Sequence, residues 1–232
     1  MIGRVFNNRY QITERIGIGG MAEVYRAQDN VLGRLVAVKV MLPQYAADES
    51  FTQRFKQEAA SAANLQSPYI VNVYDWGQDE GTYYIVMEYV AGSTLEVFTT
   101  PETLLPIERV VEIIFKCTRA LDFAYRIGIT HRDIKPANIL LVGDNPKSAD
   151  IKISDFGAAI IDNPEHTQVS GIGSPAYMSP QQVKELPLNH QTDIYSLGVV
   201  MYQLLTGQLP FQASSNYNIV YQVINTEPTR PS

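Results

Sequence analysis

Residues 131–138, His-Arg-Asp-Ile-Lys-Pro-Ala-Asn, place an acid, two cationic side chains and a metal-binding amide within eight positions, directly after a long helical pattern. Asp155-Phe156-Gly157 follows, seventeen positions beyond Asn138. Carboxylate and amide oxygens bind hard divalent cations, and a carboxylate can also take up the proton of a hydroxyl. The stretch therefore combines groups for proton transfer, for neutralising an anion and for binding a metal.

Two weaker signals precede this stretch. Residues 17–25, Gly-Ile-Gly-Gly-Met-Ala-Glu-Val-Tyr, lie between two strand-like runs. Glycines there let the backbone approach a phosphate, although any hairpin turn also favours glycine. Lys39 ends the apolar run Val-Ala-Val-Lys. It is either a charge that keeps an edge strand soluble or a cation that binds phosphate oxygens. Glu58, on the following helix, is the carboxylate that would position this lysine.

The hydrophobic pattern divides the chain into a β-rich front and a helical back. The predicted elements of the front are strands at 10–16, 22–28, 35–41, 70–76 and 83–89 and a helix at 51–65. Beyond a linker at 91–94, the predicted elements are helices at 107–127, 193–206 and 214–224 and short strands at 139–142 and 151–153. Thr192 is the predicted N-cap of the second of these helices, and Gly207 lies beyond its end. We therefore expect an α+β protein with two lobes joined near Gly92 and a ligand cleft between them.

Composition excludes several classes of protein. The 232 residues carry a net charge of -6, which argues against sequence-independent binding to nucleic acid. Cys117 is the single cysteine, so no intrachain disulfide can form, and its place on an apolar helical stripe predicts a core residue. The apolar runs are too short to cross a bilayer, and the N-terminus lacks the apolar stretch of a signal peptide.

Taken in order, the glycine loop, Lys39, residues 131–138 and Asp155-Phe156-Gly157 resemble the protein-kinase signature set. The sequences of the glycine loop and of residues 131–138 are most similar to those of eukaryotic-like (Hanks-type) bacterial serine/threonine protein kinases. The resemblance runs from about Tyr10 to the C-terminus. It implies a bilobal protein-kinase fold with an N-lobe at 1–91, holding a five-stranded sheet and one helix, and a mainly helical C-lobe at 92–232. Together the lobes would form one catalytic domain.

The resemblance implies a role for each matching residue of the catalytic centre. Asp133 would take up the proton of the substrate hydroxyl, and Lys135 would stabilise the γ-phosphate. Lys39 would contact the α- and β-phosphates of ATP and pair with Glu58. The ligands of Mg²⁺, or of Mn²⁺ in its place, would be Asn138 and Asp155.

Nucleotide binding is implied for a second set of residues. The loop over the ATP phosphates would contain Gly17, Gly19 and Gly20, with Ala22 in the place of the family's third glycine. The adenine would be bound by Ile16, Val24, Ala37, Leu140, Met87 as the gatekeeper, and the backbone of Glu88 and Val90.

Regulation is implied by Arg132, which in the family receives a phosphorylated residue of the activation loop through charge-assisted hydrogen bonds. The loop would span residues 155 to about 181, and its candidate acceptors are Thr167 and Ser170. We therefore predict autophosphorylation in trans at one of them. Ser174 matches the hydroxyl residue of the substrate-docking loop instead.

The sequence departs from the family in one motif and at its end. Ser179-Pro180-Gln181 stands where the family has Ala-Pro-Glu, and a glutamine cannot form the ion pair made by that glutamate. The family's last helices, beyond 214–224, are absent, so we expect a truncated C-lobe. This would expose the apolar residues of the helix at 193–206, namely Val199, Val200, Leu204 and Leu205. Exposed apolar patches usually mark interfaces, so we expect a homodimer, a domain-swapped assembly or low stability.

The leading hypothesis is an ATP- and Mg²⁺-dependent kinase that phosphorylates serine and threonine hydroxyls of protein substrates, because every matching catalytic residue is present and Lys135 is the family's serine/threonine mark. The alternative is an ATP-binding pseudokinase or scaffold inactivated by the truncated C-lobe. A small-molecule kinase of the aminoglycoside-phosphotransferase type would share the loop from acid to asparagine but would not explain Lys135. His131 is expected to be structural, with Phe156 and Asp193 as its partners.

The expected partners and location follow from composition and resemblance together. We expect protein substrates, no nucleic acid and no membrane segment in this chain. The expected location is the cytoplasm, where the domain is either free or the cytoplasmic part of a longer single-pass membrane kinase.

Overall fold

The computed structural model describes residues 1–143, 145, 150–156 and 175–231. These residues form two compact units. The first unit comprises Met1–Gln66 and Val71–Val90, and the second comprises Ser67–Ile70 and Ala91–Ser232. The segment at 67–70 belongs with the second unit because Ile70 bridges to Ile153 and the Ile153 amide donates to the Tyr69 carbonyl oxygen over 2.8 Å.

An antiparallel sheet forms most of the first unit. Its strands, which pair in the order β1-β2-β3-β4-β6-β5, are β1 (Val5–Phe6), β2 (Tyr10–Ile18), β3 (Ala22–Asp29), β4 (Arg34–Met41), β5 (Val73–Asp79) and β6 (Thr82–Glu88). The sheet has six strands, so the expected five is wrong: the two residues of β1 are too short for a periodic signal but pair with β2. The predicted strand at 70–76 begins three residues later, at Val73.

The two faces of this sheet bury different residues because side chains alternate along each strand. Val36, Val38 and Val40 of β4 belong to one apolar cluster together with Tyr10 and Tyr84. The opposite face packs in a second cluster against the helix α2 (Glu49–Ala63), which follows the single-turn helix α1 (Pro43–Ala46). This second face positions Lys39, because Lys39 alternates with the valines of the first cluster.

The second unit is mainly helical. Its helices are α3 (Ile107–Arg126), α4 (Pro180–Val183), α5 (Gln191–Thr206) and α6 (Asn216–Asn225), and a hairpin is formed by β7 (Ile139–Leu141) and β8 (Ile151–Ile153). The apolar stripe of α3 is buried, and Cys117 within it is fully buried, which confirms its assignment to the core. Burial raises the pKa of the Cys117 thiol to about 12.

Helix α5 starts and packs differently from what its sequence predicts. It begins at Gln191 after His190, so Thr192 is not the N-cap but a buried residue of the first turn. Gly207 ends the helix in the left-handed conformation, as expected, with a φ of 71°. The Ser196 hydroxyl donates to the Tyr177 carbonyl oxygen over 2.7 Å, which ties the segment before α4 to α5.

The expectation that α5 exposes its apolar residues is wrong. Val200 and Leu204 are fully buried, Val199 is 5% exposed, and Leu205 is half-buried. Helix α5 contacts α3 and the turn Pro175–Tyr177, and Val199, Val200 and Leu204 are buried within this chain. We expected a homodimer, a domain-swapped assembly or low stability because this patch would be exposed. Since the patch is buried, that reason no longer holds. No helix in the described part of the chain combines the length and hydropathy needed to span a bilayer.

Candidate active site

Lys39 and Glu58 form an ion pair inside the first unit. Lys39 lies on β4 and Glu58 lies on α2, and the lysine Nζ is 2.5 Å from the glutamate Oε1. Their side chains are 18% and 15% exposed, so the pair is partly shielded from water and is screened less than a surface pair. The structure thus brings together the cation and the carboxylate that the sequence analysis paired.

Three of the predicted adenine-binding residues lie on neighbouring strands next to Lys39. In the sheet register, Val24 of β3 is opposite Lys39, and Ala37 of β4 is opposite Met87 of β6. Directly paired residues of antiparallel strands point to the same face, and Ala37 shares its face with Lys39 by alternation. Val24, Ala37, Lys39 and Met87 therefore lie on one face of the sheet.

The glycine loop is a tight turn between β2 and β3. The Gly19 amide donates to the Ala22 carbonyl oxygen over 2.8 Å. A Cβ at Gly19 would come within 3.2 Å of that oxygen, so the turn favours glycine there, whereas a Cβ at Gly20 would meet nothing within 4 Å. Gly17 is paired with Val24 beside an irregularity in the β2–β3 register. Ile16, just before it, is 45% exposed.

The end of β6 is held by a residue that the sequence analysis did not single out. The Glu88 amide donates to the Asn72 carbonyl oxygen over 2.8 Å, and the Asn72 side-chain amide donates to the Glu88 carboxylate over 2.9 Å. The backbone amide of Glu88 is therefore committed to Asn72. Val90, the last residue of the first unit, is half-buried.

The second unit brings the predicted catalytic residues of the loop at 131–138 together. Lys135 Nζ lies 3.0 Å from Asp133 Oδ2, and Asn138 Nδ2 donates to the same oxygen over 3.1 Å. The Asn138 Nδ2 also donates to the Asp133 carbonyl oxygen over 2.8 Å. Asp133 is 31% exposed on its side chain. Two donors thus fix one carboxylate oxygen while the group stays accessible to water.

His131 is a structural residue of this loop. Its Nδ1 accepts a hydrogen bond from the Asp133 amide at 3.1 Å, so its Nε2 carries the proton and donates to the Ser154 carbonyl oxygen at 2.8 Å. Its ring contacts Phe156 edge-on, with 4.6 Å between centroids. The buried Asp193 of α5 accepts from the His131 amide over 2.7 Å. The structural role and both expected partners are confirmed.

Burial raises the pKa of Asp193 above its ordinary value. His131 and the two backbone amides that donate hydrogen bonds to Asp193 oppose this shift. Those amides belong to His131 and Arg132, each at 2.7 Å. Because amides compensate the carboxylate for its lost hydration, Asp193 can anchor the loop from inside the unit.

Ser154 connects the two predicted metal ligands and was missed by the sequence analysis. Its amide donates to the Asn138 carbonyl oxygen over 2.9 Å, and its hydroxyl donates to Asp155 Oδ2 over 3.3 Å. Asp155 has a φ of 59°, a left-handed conformation that is uncommon outside glycine and often occurs at functional sites. No motif marks Ser154, because its backbone contact with Asn138 arises only in the folded chain.

The residues of this unit suit a divalent cation by their chemistry. The side-chain nitrogen of Asn138 is committed to Asp133, which leaves its amide oxygen as the group for a cation, and Asp155 offers a carboxylate. Amide and carboxylate oxygens are ligands that Mg²⁺ accepts in proteins. Leu140 of β7 is half-buried and bridges to Thr94. Gly157, Thr167, Ser170 and Ser174 lie outside the described residues.

Comparison with known proteins identifies the family. Residues 10–230 match the protein kinase domain family. The chain is 41% identical over 234 residues to a probable serine/threonine-protein kinase of Clostridium acetobutylicum, covering 100% of this chain and 35% of that protein. It is 40% identical over 229 residues to the serine/threonine-protein kinase PrkC of Bacillus subtilis, covering 98% and 35%. It is 42% identical over 234 residues to PknB of Mycobacterium tuberculosis, covering 97% and 37%.

The fold agrees as well. The crystal structure of the Mycobacterium tuberculosis PknI kinase domain matches with a TM-score of 0.72 and 30% identity, over 92% of this chain and 80% of that one. The chain spans about a third of the length of the curated relatives named above. The chain belongs to the protein kinase domain family, and within it to the Hanks-type bacterial serine/threonine kinases.

Proposed function

We propose that this domain transfers the γ-phosphate of ATP to serine and threonine hydroxyls of proteins, with Asp133 as the residue that takes up the hydroxyl proton. The carrying observation is the pair of donors on Asp133 Oδ2, from Lys135 at 3.0 Å and Asn138 at 3.1 Å. They orient the carboxylate and direct its second oxygen to an incoming hydroxyl.

Two cations would each neutralise part of the phosphate charge. Lys39, held by Glu58, would bind the α- and β-phosphates, and Lys135 would stabilise the transferred group. Asn138 and Asp155 would hold the divalent metal, Mg²⁺ or Mn²⁺, which supplies further charge neutralisation when bound. The nucleotide would contact the glycine loop and the sheet face that carries Val24, Ala37 and Met87, with Ile16, Leu140, Glu88 and Val90 completing its contacts.

The proposed acceptors are protein serines and threonines, on the strength of the position of Lys135 and of the names of the relatives. They include the domain itself in trans, at Thr167 or Ser170. Mass spectrometry after incubation with ATP tests this step, because a loop without added phosphate would refute it. Substitution of both residues by alanine should remove the loop's phosphate without affecting ATP binding.

The decisive experiment compares Asp133→Asn with the wild type for phosphate transfer to a generic acceptor protein. We expect kcat to fall by about 100- to 10,000-fold, the range of general-base effects, while ATP affinity measured by calorimetry is retained. Asp122→Asn is the matched control, because Asp122 is an exposed acid on α3 that pairs only with Arg126, at 2.8 Å, among the described ion pairs.

The outcomes separate the hypotheses. Equal transfer by the wild type and Asp133→Asn would refute the catalytic assignment. ATP binding without any transfer by the wild type would refute the proposed activity and support the alternative of a pseudokinase or scaffold.

A further inference from the structure

A closed ring of hydrogen bonds joins α4, the loop around Asp133 and the start of α5. The Arg132 amide donates to Asp193 Oδ1 over 2.7 Å, and the Arg132 carbonyl oxygen accepts from Gln182 Nε2 over 2.7 Å. Gln182 Oε1 accepts from the Ser179 amide over 2.9 Å. The Ser179 hydroxyl donates to the Thr192 hydroxyl at 3.5 Å, and Thr192 adjoins Asp193 in α5.

The orientation of the Gln182 side chain is fixed by its partners. A carbonyl oxygen can only accept and a backbone amide can only donate, so only one placement of the side-chain nitrogen and oxygen satisfies both contacts. The same residue completes the capping box of α4 with Ser179, whose hydroxyl accepts from the Gln182 amide at 3.3 Å. Gln182 therefore has two separable functions, as an acceptor for the helix cap and as a donor to the loop.

The donor function acts next to the proposed base. The Arg132 carbonyl and the Asp133 amide belong to one planar peptide group. Gln182 holds the carbonyl end of that plane at 2.7 Å, and His131 Nδ1 holds the amide end at 3.1 Å. Arg132 has a φ of 67°, so the plane follows a left-handed residue that needs its surroundings to keep it in place.

We propose that Gln182 is a positioning residue, which sets the Arg132–Asp133 peptide plane and thereby aims the Asp133 carboxylate at the acceptor hydroxyl. This inference rests on the proposed function, since it concerns the same base. It links the segment that carries Ser179 to the catalytic loop directly, in addition to the link through α5.

Gln182→Glu separates the two functions of the side chain. A glutamate at this position of a capping box keeps the acceptor for the Ser179 amide, so α4 remains capped. It loses the donor and places a carboxylate oxygen against the Arg132 carbonyl. We expect a melting temperature lowered by no more than about 2–4 °C, as for one lost hydrogen bond in a chain of this size, a KM for ATP within about twofold of wild type, and a kcat lower by roughly 10- to 100-fold, as for other displaced catalytic groups.

A pH profile gives a second readout. A protonated glutamate regains an O–H donor, so the kcat of Gln182→Glu relative to wild type should rise as the pH is lowered from 7 to 5, towards the ordinary glutamate pKa of about 4.3. Gln181→Glu is the matched control, because it adds the same charge at the exposed neighbouring position, and its kcat should equal that of the wild type. Gln182→Met removes both contacts and should lower kcat at every pH.

Two results would overturn the inference. One is a Gln182→Glu variant that is folded and as active as Gln181→Glu. The other is a kcat loss that merely follows a lowered melting temperature in both Gln182 variants. If the wild type transfers no phosphate, the proposed function fails separately, and hydrogen exchange then decides the inference: the amides at 131–134 must exchange faster in Gln182→Glu than in wild type.

Discussion

Gly92→Ala is expected to destabilise the second unit severely, because a β-carbon at this position has no space. The backbone of Gly92 has a φ of 148°, a conformation that L-residues rarely adopt. An added Cβ would lie 2.0 Å from the Leu141 carbonyl oxygen and 3.1 Å from that of Gly143. The first distance is far below van der Waals contact, so the segment at 91–93 and the strand β7 must move apart.

The magnitude follows from the contacts that this movement breaks. The Leu141 amide donates to the Ser93 carbonyl oxygen over 2.8 Å, and the Gly143 amide donates to the Ala91 carbonyl oxygen over 2.6 Å. Each lost hydrogen bond costs about 1 kcal/mol, and backbone strain adds about 1–3 kcal/mol. The free energy of unfolding should therefore fall by about 3–5 kcal/mol, which for a chain of this size lowers Tm by about 10–15 °C.

Thermal and urea denaturation followed by far-UV circular dichroism measures the change, and Gly198→Ala provides the control. Gly198 lies inside α5, and a Cβ there would meet nothing within 4 Å. Alanine should therefore stabilise this helix by about 0.5–1 kcal/mol, so the two Gly→Ala substitutions should shift Tm in opposite directions. A Gly92→Ala protein that melts within 2 °C of wild type would refute the close approach of the two segments.

Three further predictions concern Cys117, Asp193 and Glu58. Cys117, with its pKa raised to about 12 from an ordinary value of 9.0, should resist a thiol reagent at pH 8 until urea unfolds the chain. The pKa of the thiol is higher in the folded than in the unfolded chain, so its contribution to stability is complete below pH 9 and is lost as the pH rises towards 12. Cys117→Ala should therefore lose less stability than the wild type between about pH 9 and 11. Asp193→Asn should lower the free energy of unfolding by about 2–4 kcal/mol and reduce turnover. The reason is that two carboxylate oxygens, each of which accepts a hydrogen bond from a different backbone amide, are replaced by a single amide oxygen. An unchanged urea midpoint would contradict this. Glu58→Gln should raise the KM for ATP by about tenfold, equivalent to about 1.4 kcal/mol, because Lys39 loses its ion pair with Glu58. The double variant with Lys39→Met should bind ATP no worse than Lys39→Met alone, and additive losses would argue against the pairing.

Much of the fold was predictable because its signals are local. The strands at Tyr10–Ile18, Ala22–Asp29 and Arg34–Met41 and the helix at Ile107–Arg126 follow the periodicities of their own residues. The strand β5 was placed three residues too early, since Ile70 is as apolar as a strand residue but pairs with Ile153. Apolarity predicts burial and leaves the burying partner undetermined.

The linker around Gly92 and the cover of α5 show the same limit. Composition marks residues 91–94 as a linker, yet Gly92 lies against β7 in a space that admits no side chain. Likewise, the sequence predicts that Val200 and Leu204 need cover, but the source of that cover is other parts of the same chain. In both cases the deciding neighbour is distant in sequence.

Residue types and motif order were enough to predict the chemistry of this domain. Lys39, Glu58, Asp133, Asn138 and Asp155 were singled out from residue type and motif order, and their roles are those that the resemblance to the protein-kinase signature set implies. Tertiary structure alone decided how the groups are held. No spacing rule predicts that Ser154 joins Asn138 to Asp155, or that the Gln182 amide donates to the Arg132 carbonyl. The contacts of Ser154 with Asn138 and of Gln182 with Arg132 join residues that are distant in the chain, and such hydrogen bonds exist only once the chain has folded.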